Sequence, residues 1–378
     1  MVKAVTGTQR AIDGLCVNAI RTLSMDAVQA ANSGHPGAPM GLAAAAYVLW
    51  TRVLKHNPKN PQWVDRDRFV LSGGHASALL YSLLNLTGYK LSLKEIKNFR
   101  QWGSQTPGHP EYGHTPGVET TTGPLGQGFA NAVGMAMAER HLAAVFNRGS
   151  QKIVDHHTYV MCGDGDLMEG IASEAASMAG HLGLGRLICI YDDNKISIEG
   201  STDIAFTENV AARFRAYRWQ VLQVKDGIDL AAIENALTEA RAEKDKPTLI
   251  ALRTNIAYGS PNKQDTHGAH GAPLGVDEVR LTKENLGWPK NKKFYVPAEV
   301  RKAFGKCVDK GRKAEAAWNK KVKAFARKYP EKAQNWQTAI AGTLPPRWDA
   351  GIPTFRDGKA IATRAASGQV LNALAENL

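Results

Sequence analysis

TYVMCGDGDLMEG at residues 158–170 is followed by LICIYDDN at 187–194, and these two stretches decide the fold. Each contains a short apolar run, which is typical of a buried strand. The residues between the runs predict a helix over 168–182. A strand, a helix and a second strand in this order predict parallel strands joined by a right-handed crossover.

The same alternation continues on both sides of this unit. It predicts an α/β fold, a doubly wound parallel sheet with helices on both faces. We expect further strands at residues 68–71, 219–224 and 247–254, and helices at 9–30, 42–54, 76–87 and near 229–243.

The sequence Gly163-Asp164-Gly165 follows the first strand of this unit, and Asn194 ends the second. Glycines let backbone approach a ligand, and a following helix offers free N–H groups to a phosphate. Because parallel strands end at the same edge of a sheet, Asp164 and Asn194 should emerge together, where such sheets bind ligands. Oxygen ligands of this kind, with a backbone carbonyl and a diphosphate, suit Mg²⁺ or Ca²⁺ better than zinc. The alternative is a tight turn in which Asp164 only caps a helix.

Six of the eleven histidines lie in Gly/Pro-rich segments. Functional groups collect on such loops, and a neutral imidazole can accept or donate a proton near neutral pH. We therefore expect a functional histidine cluster, although a zinc site at His267 and His270 is an alternative. The six are His35, His75, His109, His114, His267 and His270.

Charge and composition narrow the possible functions. The net charge is +12, but residues 290–332 hold fifteen Lys or Arg and four Asp or Glu, so the excess is local. We interpret 298–329 as a basic amphipathic helical arm rather than a nucleic-acid surface, because no reader motif accompanies it. No apolar run is long enough to span a membrane. Four cysteines without a CxxC pair favour unpaired thiols and a cytoplasmic location.

Seven blocks together resemble the transketolase family, in order and over nearly the whole chain. GDG followed about thirty residues later by Asn is also similar to the signature of thiamine diphosphate enzymes in general. The blocks are SGHPGAPMG (33–41), SGGHAS (72–77), PGHPE (107–111), TTGPLGQG (121–128), GDGDLMEG (163–170), YDDNKISI (191–198) and HGAHGAP (267–273).

The resemblance implies a role for particular residues, taken position by position. Asp164, Asn194 and the carbonyl of Ile196 resemble the family's metal ligands. Cofactor contacts are implied for His75, Gly123, Leu125, Gly165, Glu169, Asn194 and His270, and Glu169 would also link two subunits. Catalytic and substrate roles are implied for His35, His109 and His270, and Arg364 would hold the sugar phosphate.

The resemblance also implies an activity: transfer of a two-carbon ketol unit from a ketose phosphate to an aldose phosphate, through a thiamine diphosphate carbanion, in the pentose phosphate pathway. The expected cofactors are thiamine diphosphate and Mg²⁺ or Ca²⁺, and the expected assembly is a homodimer. Alternatives are ketol transfer like that of dihydroxyacetone synthase, a synthase that makes deoxyxylulose phosphate, and a non-catalytic cofactor-binding half-protein.

Three domains are expected. A diphosphate-binding domain covers 1–290, a basic arm and linker cover 291–353, and a truncated pyrimidine-binding domain begins at 354–378. Because the family needs the rest of that domain, we expect the chain alone to be inactive or nearly so, with the missing domains supplied in cis or by a partner chain.

Overall fold

The computed structural model describes residues 7–355 and 360–377. These form two compact units. One unit comprises the described residues up to Ala144 together with Val154–Ala317, and the other comprises Val145–Ile153 together with the described residues from Trp318 onward. The predicted domains stay a prediction, and residues 1–6, 356–359 and 378 within them lie outside the described residues.

The first unit is built on a parallel sheet of five strands in the order β1-β2-β3-β5-β4. The predicted parallel α/β fold is therefore confirmed. The strands are β1 (Arg68–Leu71), β2 (Thr158–Gly163), β3 (Leu187–Asp193), β4 (Gln220–Val224) and β5 (Thr248–Arg253).

Helices cover both faces of this sheet. The helices of the described residues are α1 (Gly7–Ala31), α2 (Gly37–Val48), α3 (Ser77–Thr87), α4 (Leu93–Lys97), α5 (Gln127–Phe146), α6 (Asp164–Met168), α7 (Gly170–Leu182), α8 (Val210–Ala216), α9 (Leu230–Ala242), α10 (Val276–Asn285), α11 (Ala298–Lys328), α12 (Pro330–Ile340) and α13 (Thr363–Ala375). Of these, α12 and α13 belong to the other compact unit.

Alternate side chains of the strands fill two separate cores. Tyr159 and Met161 of β2 pack with the layer of α1, α2, α3 and α9, whereas Val160 and Cys162 pack with α5, α7 and α8. Since both faces are buried, the strands read as continuous apolar runs, which is why the sequence shows no polar alternation there.

The helix predicted over 168–182 is wrong at its start. The structure begins a helical turn at Asp164 and interrupts it at Glu169, whose backbone is extended (φ −72°, ψ 138°). The early start has a physical cause, because the Asp166 carboxylate accepts the Gly163 N–H at 2.9 Å and closes the first turn.

The carboxyl-terminal helices correct two further expectations. The basic helix predicted over 298–329 is confirmed as α11. The linker expected over 333–353 is wrong in part, because α12 buries Ala333 and Trp336, and the Trp336 ring packs on Phe146 at 5.1 Å. The helical pattern expected from 354 is realised only as α13, which buries none of its described residues.

Among the described residues, no helix combines the length and apolar character that a bilayer crossing requires.

Candidate functional site

The candidate site lies at the carboxyl edge of β2 and β3. Gly163, the last residue of β2, is paired with Asp192 of β3 in the parallel register. Asp164 and Asn194 therefore leave neighbouring strands at one edge of the sheet, which is the arrangement that the spacing predicts. Ligands of open α/β sheets bind at this edge.

Asp164 carries an unsatisfied carboxylate oxygen. Its Oδ1 accepts the Tyr191 hydroxyl, but its Oδ2 is buried and has no hydrogen-bond partner in the described structure. Burial raises the pKa of Asp164 to about 6, against the opposing effect of the Tyr191 hydrogen bond. A buried acceptor left in this way is costly unless something binds it, and a cation would supply the missing interaction.

Two hydrogen bonds fix the orientation of the Asn194 side chain, and with it the position of its amide oxygen. Its Nδ2 donates to Asp192 Oδ2 at 2.8 Å, and its Oδ1 accepts the N–H of Ile196 at 2.9 Å. Lys195 between them has a left-handed backbone (φ 65°), so the chain turns sharply after β3. The turn brings the Ile196 backbone back beside Asn194.

These residues fit a cation shared with a ligand better than a metal held by protein alone. No group of three His, Cys, Asp or Glu side chains within residues 7–355 and 360–377 is arranged to hold an ion. Asp164 and Asn194 offer one carboxylate and one carboxamide, which leaves several positions of an oxygen-seeking ion for other ligands. The zinc alternative at His267 and His270 is not supported.

Asp166 joins three loops at the site, and no role for it is expected from the sequence. This fully buried carboxylate accepts the Ser72 hydroxyl at 2.7 Å and the N–H groups of Gly126 and Gly163 at 2.9 Å each. Ser72 Oγ in turn accepts the N–H of Phe129 at 2.9 Å. The sequence offered a signal for both residues, because Asp166 lies in the family block GDGDLMEG and Ser72 lies in the block SGGHAS.

Glycine backbones pack closely around the site. A Cβ added to Gly74 would lie 2.6 Å from Thr122 Oγ1 and 2.7 Å from Gly123 N. Gly123 in turn lies against the His109 ring, since its own Cβ would be 3.2 Å from Cγ of that ring. A Cβ on Gly165 would reach Leu125 Cδ1 at 3.1 Å. The loop that carries Gly123 and Leu125 therefore packs directly on SGGHAS and on GDG.

Three of the predicted histidines form one cluster. The ring centroids of His35 and His75 are 4.9 Å apart, those of His75 and His270 are 5.3 Å apart, and those of His35 and His270 are 5.8 Å apart. Burial lowers the pKa of His75 to about 3 and that of His35 to about 4, and it also lowers the pKa of His270. All three are therefore neutral near pH 7, and His35 Nδ1 and His270 Nδ1 have no hydrogen-bond partner in the described structure.

His109 reaches the same region from a loop that α3 anchors. Ser77 Oγ donates to Gly108 O at 2.8 Å, and the Tyr81 hydroxyl donates to Pro107 O at 2.9 Å. Burial lowers the pKa of His109, and the charge of Arg100 lowers it further. His75 lies immediately before the helix that provides both anchors.

Four other predicted residues are exposed. His114 is exposed and its Nε2 contacts Ser104 O at 2.8 Å, and His267 is exposed at the start of a short 3₁₀ turn. Glu169 is exposed between α6 and α7. Arg364 is exposed in α13, which belongs to the other compact unit, so its role stays a prediction.

Comparison with known proteins tests the family directly. Residues 12–345 match the family model described as transketolase, thiamine diphosphate binding domain. The chain belongs to the transketolase family. It is 58% identical over 366 residues to a transketolase of Geobacillus stearothermophilus, covering 97% of this chain and 55% of that protein. It is 56% identical over 361 residues to transketolase 2 of Escherichia coli, covering 94% of this chain and 54% of that protein.

Solved structures agree with the sequence comparison. A transketolase from Pichia stipitis in complex with sedoheptulose 7-phosphate superposes with a TM-score of 0.94 at 48% identity, covering 97% of this chain and 54% of that chain. A transketolase from Campylobacter jejuni gives a TM-score of 0.88 at 48% identity, covering 97% and 56%. The chain thus spans about half the length of the transketolases it matches. These relatives do not favour the synthase or half-protein alternatives.

Proposed function

We propose that this chain provides the diphosphate- and metal-binding half of a transketolase active site. The observation that carries the proposal is the buried, unpartnered Oδ2 of Asp164 beside Asn194 at the carboxyl edge of the sheet. Asp164, Asn194 and the carbonyl of Ile196 would bind Mg²⁺ or Ca²⁺, and the ion would neutralise charge on the diphosphate of thiamine diphosphate. His75, His270 and the backbone at Gly165 would contact the diphosphate, and Gly123 and Leu125 would contact the thiamine ring.

The family relationship and the loop packing support this assignment. When bound, thiamine diphosphate supplies the nucleophilic carbon and the electron sink for carbon–carbon chemistry. The chain would supply an anchored, partly dehydrated site around it. Asp166 would hold the loops of Ser72, Gly126 and Gly163 in one arrangement before the cofactor arrives, which reduces the ordering required on binding.

The histidines would handle protons on the substrate. His35 and His270 are neutral near pH 7 and each has an unpartnered ring nitrogen, so each could exchange a proton with a sugar hydroxyl. His109 would bind the terminal hydroxyl of the donor, and Arg364 would bind the phosphate as a charge-assisted clamp. The substrates would be a ketose phosphate donor and an aldose phosphate acceptor, in a cytoplasmic pentose phosphate pathway.

Calorimetric titration of the purified chain with thiamine diphosphate tests the cofactor assignment. We expect binding that requires Mg²⁺ or Ca²⁺ and that weakens by at least about a hundredfold in Asp164→Asn, because losing even an outer-shell partner of a metal ligand costs about 10–100-fold in affinity and Asp164 would be a direct ligand. The matched control is Asp277→Asn, whose side chain is 90% exposed. Equal binding with and without divalent ions, or an unchanged affinity in Asp164→Asn, would refute the assignment.

A homodimer is also proposed. Met168, Ile171 and Met178 are each at least 40% exposed and lie on α6 and α7 around Glu169. A Cβ on Gly126 would lie 2.9 Å from Glu169 Cβ and 3.0 Å from Ile171 Cγ2, so this surface is continuous with the cofactor loop. Clustered apolar exposure of this kind favours an interface.

Sedimentation equilibrium tests the dimer. Ile171→Asp should shift the chain to monomer, whereas Ile204→Asp should not, because Ile204 is 74% exposed on a different loop. A parent chain that stays monomeric at millimolar concentration would contradict the proposal.

Since the chain spans about half of its relatives' length, we further propose that ketol transfer by the chain alone is weak or absent. Robust turnover with added thiamine diphosphate and Mg²⁺ would overturn that statement.

A further inference from the structure

Arg100 lies between the two loops that carry His35 and His109. Its Nη1 donates to Ser33 Oγ at 2.8 Å. A Cβ added to Gly108 would be 3.2 Å from Arg100 Nε, and one added to Gly34 would be 3.4 Å from the same atom. The guanidinium group therefore packs against the residue that precedes each histidine, and glycine at position 108 makes room for it.

The backbone of Arg100 is in an unfavourable conformation. Its φ is 61°, in the left-handed region that glycine occupies readily and long side chains rarely adopt. The same residue closes its loop by donating its N–H to Thr106 O at 2.9 Å. A strained arginine where glycine would fit better indicates that the side chain is needed there, since such strain persists mainly at functional sites.

The guanidinium has no carboxylate partner among the ion pairs of the described residues, and its Nε is buried without an acceptor. It lines a cavity of about 770 Å³ together with Ser33, His109, Glu111 and His114. Its charge also acts on the cluster. The pKa of His109 is lowered by burial and then by Arg100, and that of His35 by burial, then His270, Arg100 and His109.

We propose that Arg100 is a positioning residue that fixes the His35 loop against the His109 loop. Ser33 and the backbones of Gly34 and Gly108 are the contacts through which it acts. This proposal rests on the proposed function only in taking the sugar substrate to bind in the cavity that His109 lines. The positioning of the two loops by Arg100 is argued only from its contacts with Ser33, Gly34 and Gly108.

Histidine NMR on the chain gives a readout that does not require activity. In Arg100→Gln, the pKa values of His35 and His109 should rise by about half a pH unit or more, as expected for loss of a charge a few ångströms away. In Arg100→Lys, which keeps the charge, they should rise less. Amide exchange at residues 33–35, 108 and 109 should accelerate in both variants, because neither replacement retains the planar guanidinium group.

The matched control is Arg218→Gln. Arg218 is also an arginine with a left-handed backbone (φ 69°), but it is exposed in the turn before β4. It should leave both histidines and both loops unchanged. If Arg100→Gln does not fold, Ser33→Ala removes only the accepting hydroxyl and should still accelerate exchange at both loops. The proposal is overturned if the folded Arg100 variants and Ser33→Ala leave exchange at both loops as in the parent.

A kinetic test in an enzyme assembled from this chain and the remaining transketolase domains separates this proposal from the proposed function. Arg100→Gln should lower kcat by about tenfold or more, the order expected for misplaced groups, while its affinity for thiamine diphosphate stays that of the parent. Ketol transfer with an unchanged kcat in Arg100→Gln would overturn the positioning role. If the parent enzyme transfers no ketol unit, the proposed function fails, and the NMR result alone decides the role of Arg100.

Discussion

Replacing Lys283 by methionine should strongly destabilise the chain, because it breaks a buried ion pair between α1 and α10. Lys283 Nζ lies 2.6 Å from Asp26 Oδ1, and the two side chains are 1% and 3% exposed. Lys283 Nζ also donates to Lys292 O at 2.8 Å, and Asp26 Oδ2 accepts the N–H of Phe294 at 2.7 Å. The pair thus joins three segments, one of which follows the His270 loop.

The expected size comes from leaving one charge buried alone, which costs about 3–5 kcal/mol of unfolding free energy. Asp26 can reduce this cost by taking up a proton, since burial already raises its pKa despite the attraction of Lys283. A carboxyl whose pKa is higher in the folded state binds more protons there, so stability falls as pH rises. The loss in Lys283→Met should therefore be larger at pH 8 than at pH 5.

Urea unfolding at the two pH values measures the effect. The double variant Asp26→Asn with Lys283→Met should recover much of the loss, because the amide oxygen still accepts the N–H of Phe294 and no charge is buried. Lys290→Met is the control, since its ion pair with Glu284 is exposed and should contribute less than about 1 kcal/mol. The reasoning fails if Lys283→Met lies within about 0.5 kcal/mol of the parent at pH 8, the ordinary range of surface substitutions.

Gly74→Ala should weaken thiamine diphosphate binding and lower the free energy of unfolding by about 1–3 kcal/mol, because the added methyl group collides with Thr122 and Gly123. Gly14→Ala, in an open part of α1, should stabilise the chain. Calorimetry and urea unfolding measure both variants, and equal effects would contradict the close packing at Gly74. Glu139→Gln should raise the melting temperature at pH 8 but not at pH 5. Burial raises the pKa of Glu139 to about 7, so the ionised carboxylate destabilises the folded state at pH 8, whereas the carboxyl is protonated in the folded state at pH 5. An equal gain at both pH values would contradict this reasoning. Ser72→Ala should lower the free energy of unfolding in chemical denaturation by about 1–3 kcal/mol, since Asp166 and the Phe129 N–H each lose a buried hydrogen bond. An unchanged free energy of unfolding would show that these hydrogen bonds do not stabilise the loops.

The sequence predicts the parallel sheet well because strands buried on both faces are apolar throughout. It fails at the start of the helix after β2, because the helical turn begins at Asp164, where the Asp166 carboxylate accepts the Gly163 N–H, and periodicity does not report such a local hydrogen bond. It also misses the interruption at Glu169, whose backbone is extended. It also misses α12, although Pro330 at its first position and the spacing of Ala333 and Trp336 were available signals.

The position of Asp164 and Asn194 at one edge of the sheet could be predicted from spacing, because a helical segment and one return strand separate Gly165 from Asn194. A histidine cluster could be expected from the six histidines in Gly/Pro-rich segments, but which of them meet could not be predicted. His35, His75 and His270 are far apart in the chain, and only the packing of their loops brings the rings within 6 Å of one another. The resemblance to the family suggested their roles, whereas the support from Ser72 and Asp166 became visible only through hydrogen bonds in the structure.

A crystal structure of the chain with thiamine diphosphate and Mn²⁺, read by anomalous scattering, tests the central claim most directly. We predict one manganese peak at about 2.0–2.3 Å from Asp164 Oδ2 and Asn194 Oδ1, with both phosphoryl groups on the same ion. A diphosphate bound elsewhere, or a manganese ion that contacts neither side chain, would contradict the account.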